Sequence, residues 1–529
     1  MSTRRVRGGR IHPHERDTND AAPILGENIA VAGTFQQQYN ATHAVSMSDK
    51  NRKDYRARLV RIANYWEEHC KDYYQVGVKK VSEQDQHDES KFFFSGNYKV
   101  DLIYTGLNYK FVLDFLMNTK YKKNGKLKSN QDTRKYKDAI LWGAMIAGER
   151  LPTKFYEEMD KYLASYKKLV IDAKKKGSVD ETSADPITMT LYQAILKWAV
   201  EANNVFVWFW TLAQWNCMAR CASIDPLAFH NFKLGQDSII CKYDDQKADK
   251  TGEKLSEKNI YANPHDWTMC FWTGLGIYVA VHCDALASHE RLFLRENVKE
   301  GSASKRYCEQ LLTLVDNHQA EVMAHVRPDR FNPYGLRKGS ATHAVSGTTL
   351  PPSLPSIARR GEWSQGSVLD VYWHFASIGD HYLGRVLAGL QPNHVGFGTL
   401  PPHFSIQSPM ENAIVLQAME MMFGPIMVRY EGKANNPTPM LLRCLACIVY
   451  HSNDLVLTMA DNPGHDFSKI PILHDRALLA RLADLVTVEA TDGVVTVATG
   501  IPPHIELASQ VQQVLEPHNK PFNKSQQPN

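Results

Sequence analysis

Apolar positions recur every three or four residues through the first third of the chain. In NRKDYRARLVRIANYWEEHC, Tyr55, Leu59, Ile62 and Trp66 fall on one helical face, and NYKFVLDFLMNTKY and RKYKDAILWGAMIAG repeat the pattern. These runs predict a small helical domain over 46–178. The polar stretch KKKGSVDETSADP (174–186) then reads as a linker. Beyond it the apolar blocks predict helices over 187–222, followed by two strand-like runs, DSIICKYDD and NIYANP, joined by the charged loop QKADKTGEKLSEK, and then more helices. QPNHVGFGTLPP (391–402) marks a Gly/Pro-rich boundary, after which a last, mostly helical segment runs over 402–515. The two ends, 1–45 and 516–529, lack apolar periodicity and predict a disordered basic arm and a disordered tail. The expected fold class is therefore mainly α with a small antiparallel β-sheet, α+β, without internal repeats.

The most apolar runs, VFVWFWTLAQWNCMA and WTMCFWTGLGIYVAV, fall short of the ~18–20 residues that span a bilayer, and Gln214 and Asn216 interrupt the first. They predict buried core helices. The start, MSTRRVRGGRIHPHERD, has no apolar h-region and predicts no secretory signal. Nine scattered cysteines in apolar surroundings read as reduced, intracellular thiols, and the Cys444–Cys447 CxxC lacks a second Cys/His pair for a metal. Methionines at helical spacing in ENAIVLQAMEMMFGPIM read as core.

Charge changes the picture more. The net charge is only +4, yet residues 120–137 carry eight Lys/Arg against one Asp: Lys120, Lys122, Lys123, Lys126, Lys128, Arg134, Lys135 and Lys137. Such density suits a polyanion, although a solvated lysine face accounts for the same residues. Lys174, Lys175 and Lys176 add to it.

Four groups further on carry candidate chemistry: Arg220 after LAQWNCMA, Lys247 in the loop after a strand, Arg337 in YGLRKG, and Trp363 with Tyr372 nine residues later. Each has a plain structural reading, with Arg220 capping its helix or pairing with Asp225, Lys247 solvated, and the two aromatics in a core. Their order and spacing resemble the catalytic domain of tyrosine recombinases. The likeness is closest to Crypton-type recombinases of eukaryotic mobile elements, through LRKGSATHAVSGTT, RRGEWSQGSVLDVYWHF and GDHYLGRVLAGL. This resemblance implies a helical core-binding domain over 46–178, a catalytic domain over 187–391 and an accessory C-terminal domain over 402–515.

It also implies roles: Tyr372 as nucleophile forming a 3′-phosphotyrosine, Arg220 and Arg337 holding the scissile phosphate, Trp363 donating its indole N–H, and Lys247 protonating the departing 5′ oxygen. Two guanidiniums suit that task because their forked donors match the charge gathering on phosphate oxygens. Lys250 is the alternate lysine and Tyr382 the rival nucleophile, nineteen residues past Trp363. The small residues after Arg337 are expected to let its helix approach the DNA backbone closely. No cofactor or metal is expected, since the arginines do the work of a cation. The implied partners are DNA and three further protomers in a synapse of four, with residence in the nucleus. One position departs from the family: its His-x-x-Arg reads Tyr334-x-x-Arg337, and a phenol with a pKa near ~10 is a poor general base at neutral pH. A descendant that binds DNA without cutting it is therefore the competing expectation, and relaxation of supercoils without strand exchange is a third.

Overall fold

The computed structural model describes residues 49–70, 78–80, 100–122, 124–178, 184–244, 256–294, 302–363, 377–491, 493–495 and 497–515. The chain divides into two compact units, Met1–Glu181 and Thr182–Asn529, with the division inside the polar stretch read as a linker. Within the described residues both units are mainly helical with small antiparallel sheets.

In the first unit, the helix Asp49–Tyr65 puts Leu59 and Ile62 into the core with Tyr55 at its edge, as the three-to-four spacing requires, and Trp66, which opens the π-helical turn Trp66–Cys70, packs at the same edge. Strands β1 (Val78–Lys80) and β2 (Val100–Leu102) pair antiparallel. Three helices follow: Tyr109–Asn118, Asn130–Ala147 and Thr153–Lys175. Their starts and stops are written locally. The Asn108 side chain accepts from the Lys110 N–H, Ser129 accepts from the Asp132 N–H, and Gly148 closes the Asn130 helix at φ 68°.

The first part of the basic run lies between the first two of these helices as a hairpin-like loop, and Arg134, Lys135 and Lys137 lie on the helix Asn130–Ala147. Lys122 N–H donates to the Lys126 carbonyl at 2.7 Å and Lys128 N–H to the Lys120 carbonyl at 2.8 Å, around an Asn124-Gly125 turn in which Gly125 has φ 75°. Tyr166 pins the base of this loop, its hydroxyl donating to the Lys128 carbonyl at 3.0 Å.

The core of the second unit is built on the helix Val205–Asn216, all of whose residues are buried. Trp208, Trp210 and Trp215 are fully buried there, and each such side chain contributes about 4 to 6 kcal/mol of gross apolar burial. Gln214 and Asn216, the polar interruptions, are buried but bonded: Gln214 donates to the Pro333 carbonyl at 2.9 Å and Asn216 to the Leu212 carbonyl at 3.0 Å. No single helix among the described residues is long and apolar enough to cross a membrane.

The sheet has three strands rather than the two expected: β3 (Phe232–Leu234), β4 (Ile239–Cys241) and β5 (Lys258–Ile260), antiparallel in that order. Ile239 sits opposite Ile260, and both are fully buried. The last segment, expected as a separate domain over 402–515, shares this core instead. Its helix Thr438–Tyr450 packs so tightly on the helix Phe271–Val281 that a Cβ on Gly276 would lie 2.9 Å from the Cβ of Cys444. Cys444 and Cys447 are both buried in that contact, and Met419 and Met422 of the helix Ala413–Tyr430 join the same core.

Candidate active site

Arg337 lies on the first turn of the helix Tyr334–Ser346, which begins as the Asn332 side chain accepts the Tyr334 N–H at 2.9 Å. Gly335 and Gly339 are packed against the chain's own segment 185–187, so that a Cβ on Gly339 would stand 2.0 Å from the Ile187 carbonyl oxygen. The small residues around Arg337 therefore serve a close approach within the protein, not the approach to DNA that the motif suggested. Lys338 turns to that segment too, donating to the Ala184 carbonyl at 2.7 Å.

The Arg337 side chain is only 1% exposed. One terminal nitrogen donates to the Met218 carbonyl at 2.8 Å, the other donates to the Gly361 carbonyl, and Nε has no partner. Its guanidinium carbon lies 5.6 Å from the centre of the Trp363 ring, which is 40% exposed. Burial, and then the charge of Arg220, push the Arg337 guanidinium below its ordinary range.

The other deeply buried arginines are neutralised. Arg360 meets Asp380 at 3.0 Å and Arg385 meets Asp237 at 2.8 Å. Among the described residues no carboxylate lies within 4.0 Å of Arg337 or Arg220. Arg220 precedes the short helix Cys221–Ile224 without a side-chain cap bond, and Asp225 pairs with Arg291 at 3.7 Å instead. Both plain readings of Arg220 are thus corrected.

The backbone is strained on both sides of Arg337. Met218 and Glu362 are two of three described non-glycine residues with positive φ, at 48° and 55°. Met218 supplies a carbonyl to the guanidinium, and Glu362 follows Gly361, which supplies the other. Left-handed conformations cost such residues about 1 kcal/mol or more and persist where surrounding contacts over-determine them.

Tyr334, three residues before Arg337, is 44% exposed, with the Lys338 ammonium 5.8 Å from its ring centre. Tyr382, the rival nucleophile, is tied down: its hydroxyl donates to the Leu350 carbonyl at 2.6 Å and burial raises its pKa. Lys247, Lys250 and Tyr372 lie outside the described residues, as do Lys123, the arm and the tail.

The sequence reading passed over Lys258, Glu362 and Tyr243, which cluster with Arg337. The Lys258 ammonium reaches Glu362 at 2.5 Å and lies 4.2 Å from the Tyr243 ring centre. The only signal for them was a lysine ending the charged loop and a glutamate directly before Trp363.

In the first unit the cationic residues divide. Lys137 is engaged by Asp160 at 2.5 Å and Lys135 lies 3.9 Å from Asp54, while Lys120 and Lys128 lie 5.5 Å and 6.0 Å from the rings of Tyr121 and Tyr136. Arg134 and Lys126 are exposed, and Lys122 and Lys126 flank the turn. If this run meets DNA, as the resemblance implies, replacing the exposed Arg134 with Gln should lower affinity evenly across DNA sequences and flatten the salt slope of binding by about one, for one phosphate contact. Lys137→Gln should change that slope less, because its ammonium already faces Asp160. Titrating binding against salt for wild type and the two variants checks this, and equal slopes for all three would leave the run out of any DNA contact.

No protein-family model matches the chain, and neither does any curated protein.

Proposed function

We propose that this chain cuts and rejoins DNA through a 3′-phosphotyrosyl intermediate, as a site-specific recombinase or transposase of a Crypton-like mobile element. The observation that carries the reading is Arg337: a guanidinium 1% exposed, without a carboxylate partner, with a free N–H, and beside a second unpaired guanidinium, Arg220. A buried cation without a counter-ion is costly, and a bound oxyanion supplies the missing charge. Trp363, half-exposed over the same guanidinium, has an indole N–H to offer that oxyanion.

In this proposal Arg220 and Arg337 hold the non-bridging oxygens of the scissile phosphate. The Tyr372 oxygen attacks phosphorus, its proton passing to solvent, and the bond from phosphorus to the 5′ oxygen breaks. Lys247 protonates that leaving oxygen, a general-acid role worth ~100 to 10,000-fold. The phosphotyrosine keeps the bond energy, so a 5′-hydroxyl reverses the step and rejoins a strand. DNA is the partner, four protomers form the synapse, and the nucleus is the place of action.

One observation favours a second reading, a protein that binds DNA through this fold and no longer cuts. Tyr334 stands where the family places its proton-handling histidine. Denaturing-gel detection of a covalent adduct with nicked or bubble-containing DNA separates the two. An adduct with wild type and none with Tyr372→Phe is the expected result. Salt-sensitive binding without adduct, converted to adduct formation by Tyr334→His, would establish the second reading.

A further inference from the structure

The two residues that touch the Arg337 guanidinium from the Leu354–Arg360 side of the site are Gly361, through its carbonyl, and Trp363, through its ring. Glu362 stands between them. Its carboxylate is 8% exposed and bonded at 2.5 Å to the Lys258 ammonium, itself 1% exposed at the start of β5. Lys258 also donates to the Ser256 carbonyl at 3.4 Å and lies over the Tyr243 ring. The ammonium is thus fixed from two directions before Glu362 meets it.

Glu362 takes a left-handed conformation, φ 55°, that a glutamate seldom adopts unaided. A Cβ on the preceding Gly361 would lie 3.0 Å from the Trp363 ring, so the turn folds the indole back over the glycine. An anchored carboxylate at the centre of this turn sets both the carbonyl in front of it and the indole behind it.

We propose that Lys258–Glu362 is a positioning pair: it fixes the Gly361 carbonyl and the Trp363 ring on Arg337, so that the unpartnered N–H of that guanidinium faces the oxyanion. The inference rests on the phosphate-holding role of Arg337 proposed above. Neither Lys258 nor Glu362 touches the phosphate in this account.

Removing one partner leaves a buried charge and risks unfolding, so the decisive variant is the double replacement Lys258→Met/Glu362→Gln, which removes both charges at similar volume and is often neutral in stability. Two readouts apply once thermal unfolding shows the variant folded. The first needs no DNA: the indole signal of Trp363 in protein labelled with nitrogen-15 tryptophan, assigned with Trp363→Phe. The second is adduct yield on nicked DNA beside DNA affinity, with Glu362→Asp as the conservative variant. The expected result is a moved or broadened Trp363 signal with the other indoles unchanged, and an adduct yield lowered about ten-fold or more at unchanged affinity. Glu362→Asp should restore much of both.

An unmoved Trp363 signal and wild-type adduct yield in the double variant would overturn the proposal and leave a structural ion pair. If the wild type forms no adduct, strand cleavage fails as a reading, and a moved indole signal still upholds the positioning geometry. An unmoved signal in that case overturns both.

Discussion

Arg337→Lys is expected to slow adduct formation by on the order of 100- to 1,000-fold while DNA affinity stays within a few-fold of wild type. Lysine keeps the charge but loses the planar fork. The Arg337 fork is already divided, with two N–H groups spent on the Met218 and Gly361 carbonyls and Nε left over. A single ammonium at the end of a flexible stem cannot hold both carbonyls and still present a directed N–H to a phosphate. Burial adds to the loss, because desolvation next to the Arg220 charge favours a neutral amine. Affinity should change little, since in the proposed complex most binding energy would come from phosphates met elsewhere on the protein. Single-turnover kinetics on a nicked substrate, with equilibrium binding in parallel, measures both quantities. A rate within about three-fold of wild type, well under what one oxyanion donor is worth, would take Arg337 out of the reaction.

What was legible in the chain follows from the range of the forces involved. Periodicity over ten or more residues placed Leu59 and Ile62 in a helical core, and the polar run near 181 marked the division between units. Strands β4 and β5 each carry isoleucine, whereas β3, of the same length, reads Phe-Lys-Leu without a β-branched residue, so the sheet read as two strands. The Gly/Pro-rich stretch near 391–402 looked like a domain boundary, yet the contact of Gly276 with Cys444 joins segments far apart in sequence, which no local pattern encodes.

The candidate site divides in the same way. Arg220, Arg337 and Trp363 stood out through order and spacing, and the last two do meet. Lys258 did not, because one lysine in a charged loop resembles another until the fold buries it against Glu362. Gly339, among the small residues after Arg337, suggested a close approach correctly but not its object: Ile187 of the same chain, not DNA. Met218 shows no trace of its left-handed backbone in residue type, since that conformation is imposed by what Arg337 and the neighbouring turns require.

The largest stability effect is expected at Asp237. Asp237→Ala should destabilise the second unit by about 3 to 5 kcal/mol, the cost of leaving a buried charge unpaired. Asp237 is 1% exposed and accepts from Arg385 at 2.8 Å and from the Thr499 N–H and hydroxyl, each at 2.7 Å. Arg385 is fully buried, donates to the carbonyls of Phe397 and Thr499 as well, and lies 4.4 Å from the Tyr261 ring centre. Without the carboxylate its charge has no counter-ion among the described residues. The thermal midpoint should fall by roughly 4 to 7 °C, and Asp237→Ala/Arg385→Met should cost less than the two single changes summed, because both singles break one pair. The network also carries the chain's last described segment: with Thr499 released, limited proteolysis should cut near 497–515 earlier than in wild type. The damage should reach the candidate site, because the neighbouring Ser238 hydroxyl donates to Asn259 at 2.8 Å and Asn259 is held by Asp380, the partner of Arg360. A midpoint within about 1 °C of wild type, under 1 kcal/mol for a unit of this size, would show that Arg385 is not charged in the core, and the link from the C-terminal segment to the sheet beside Lys258 would then rest on other contacts, such as that of the Thr499 hydroxyl with Tyr261.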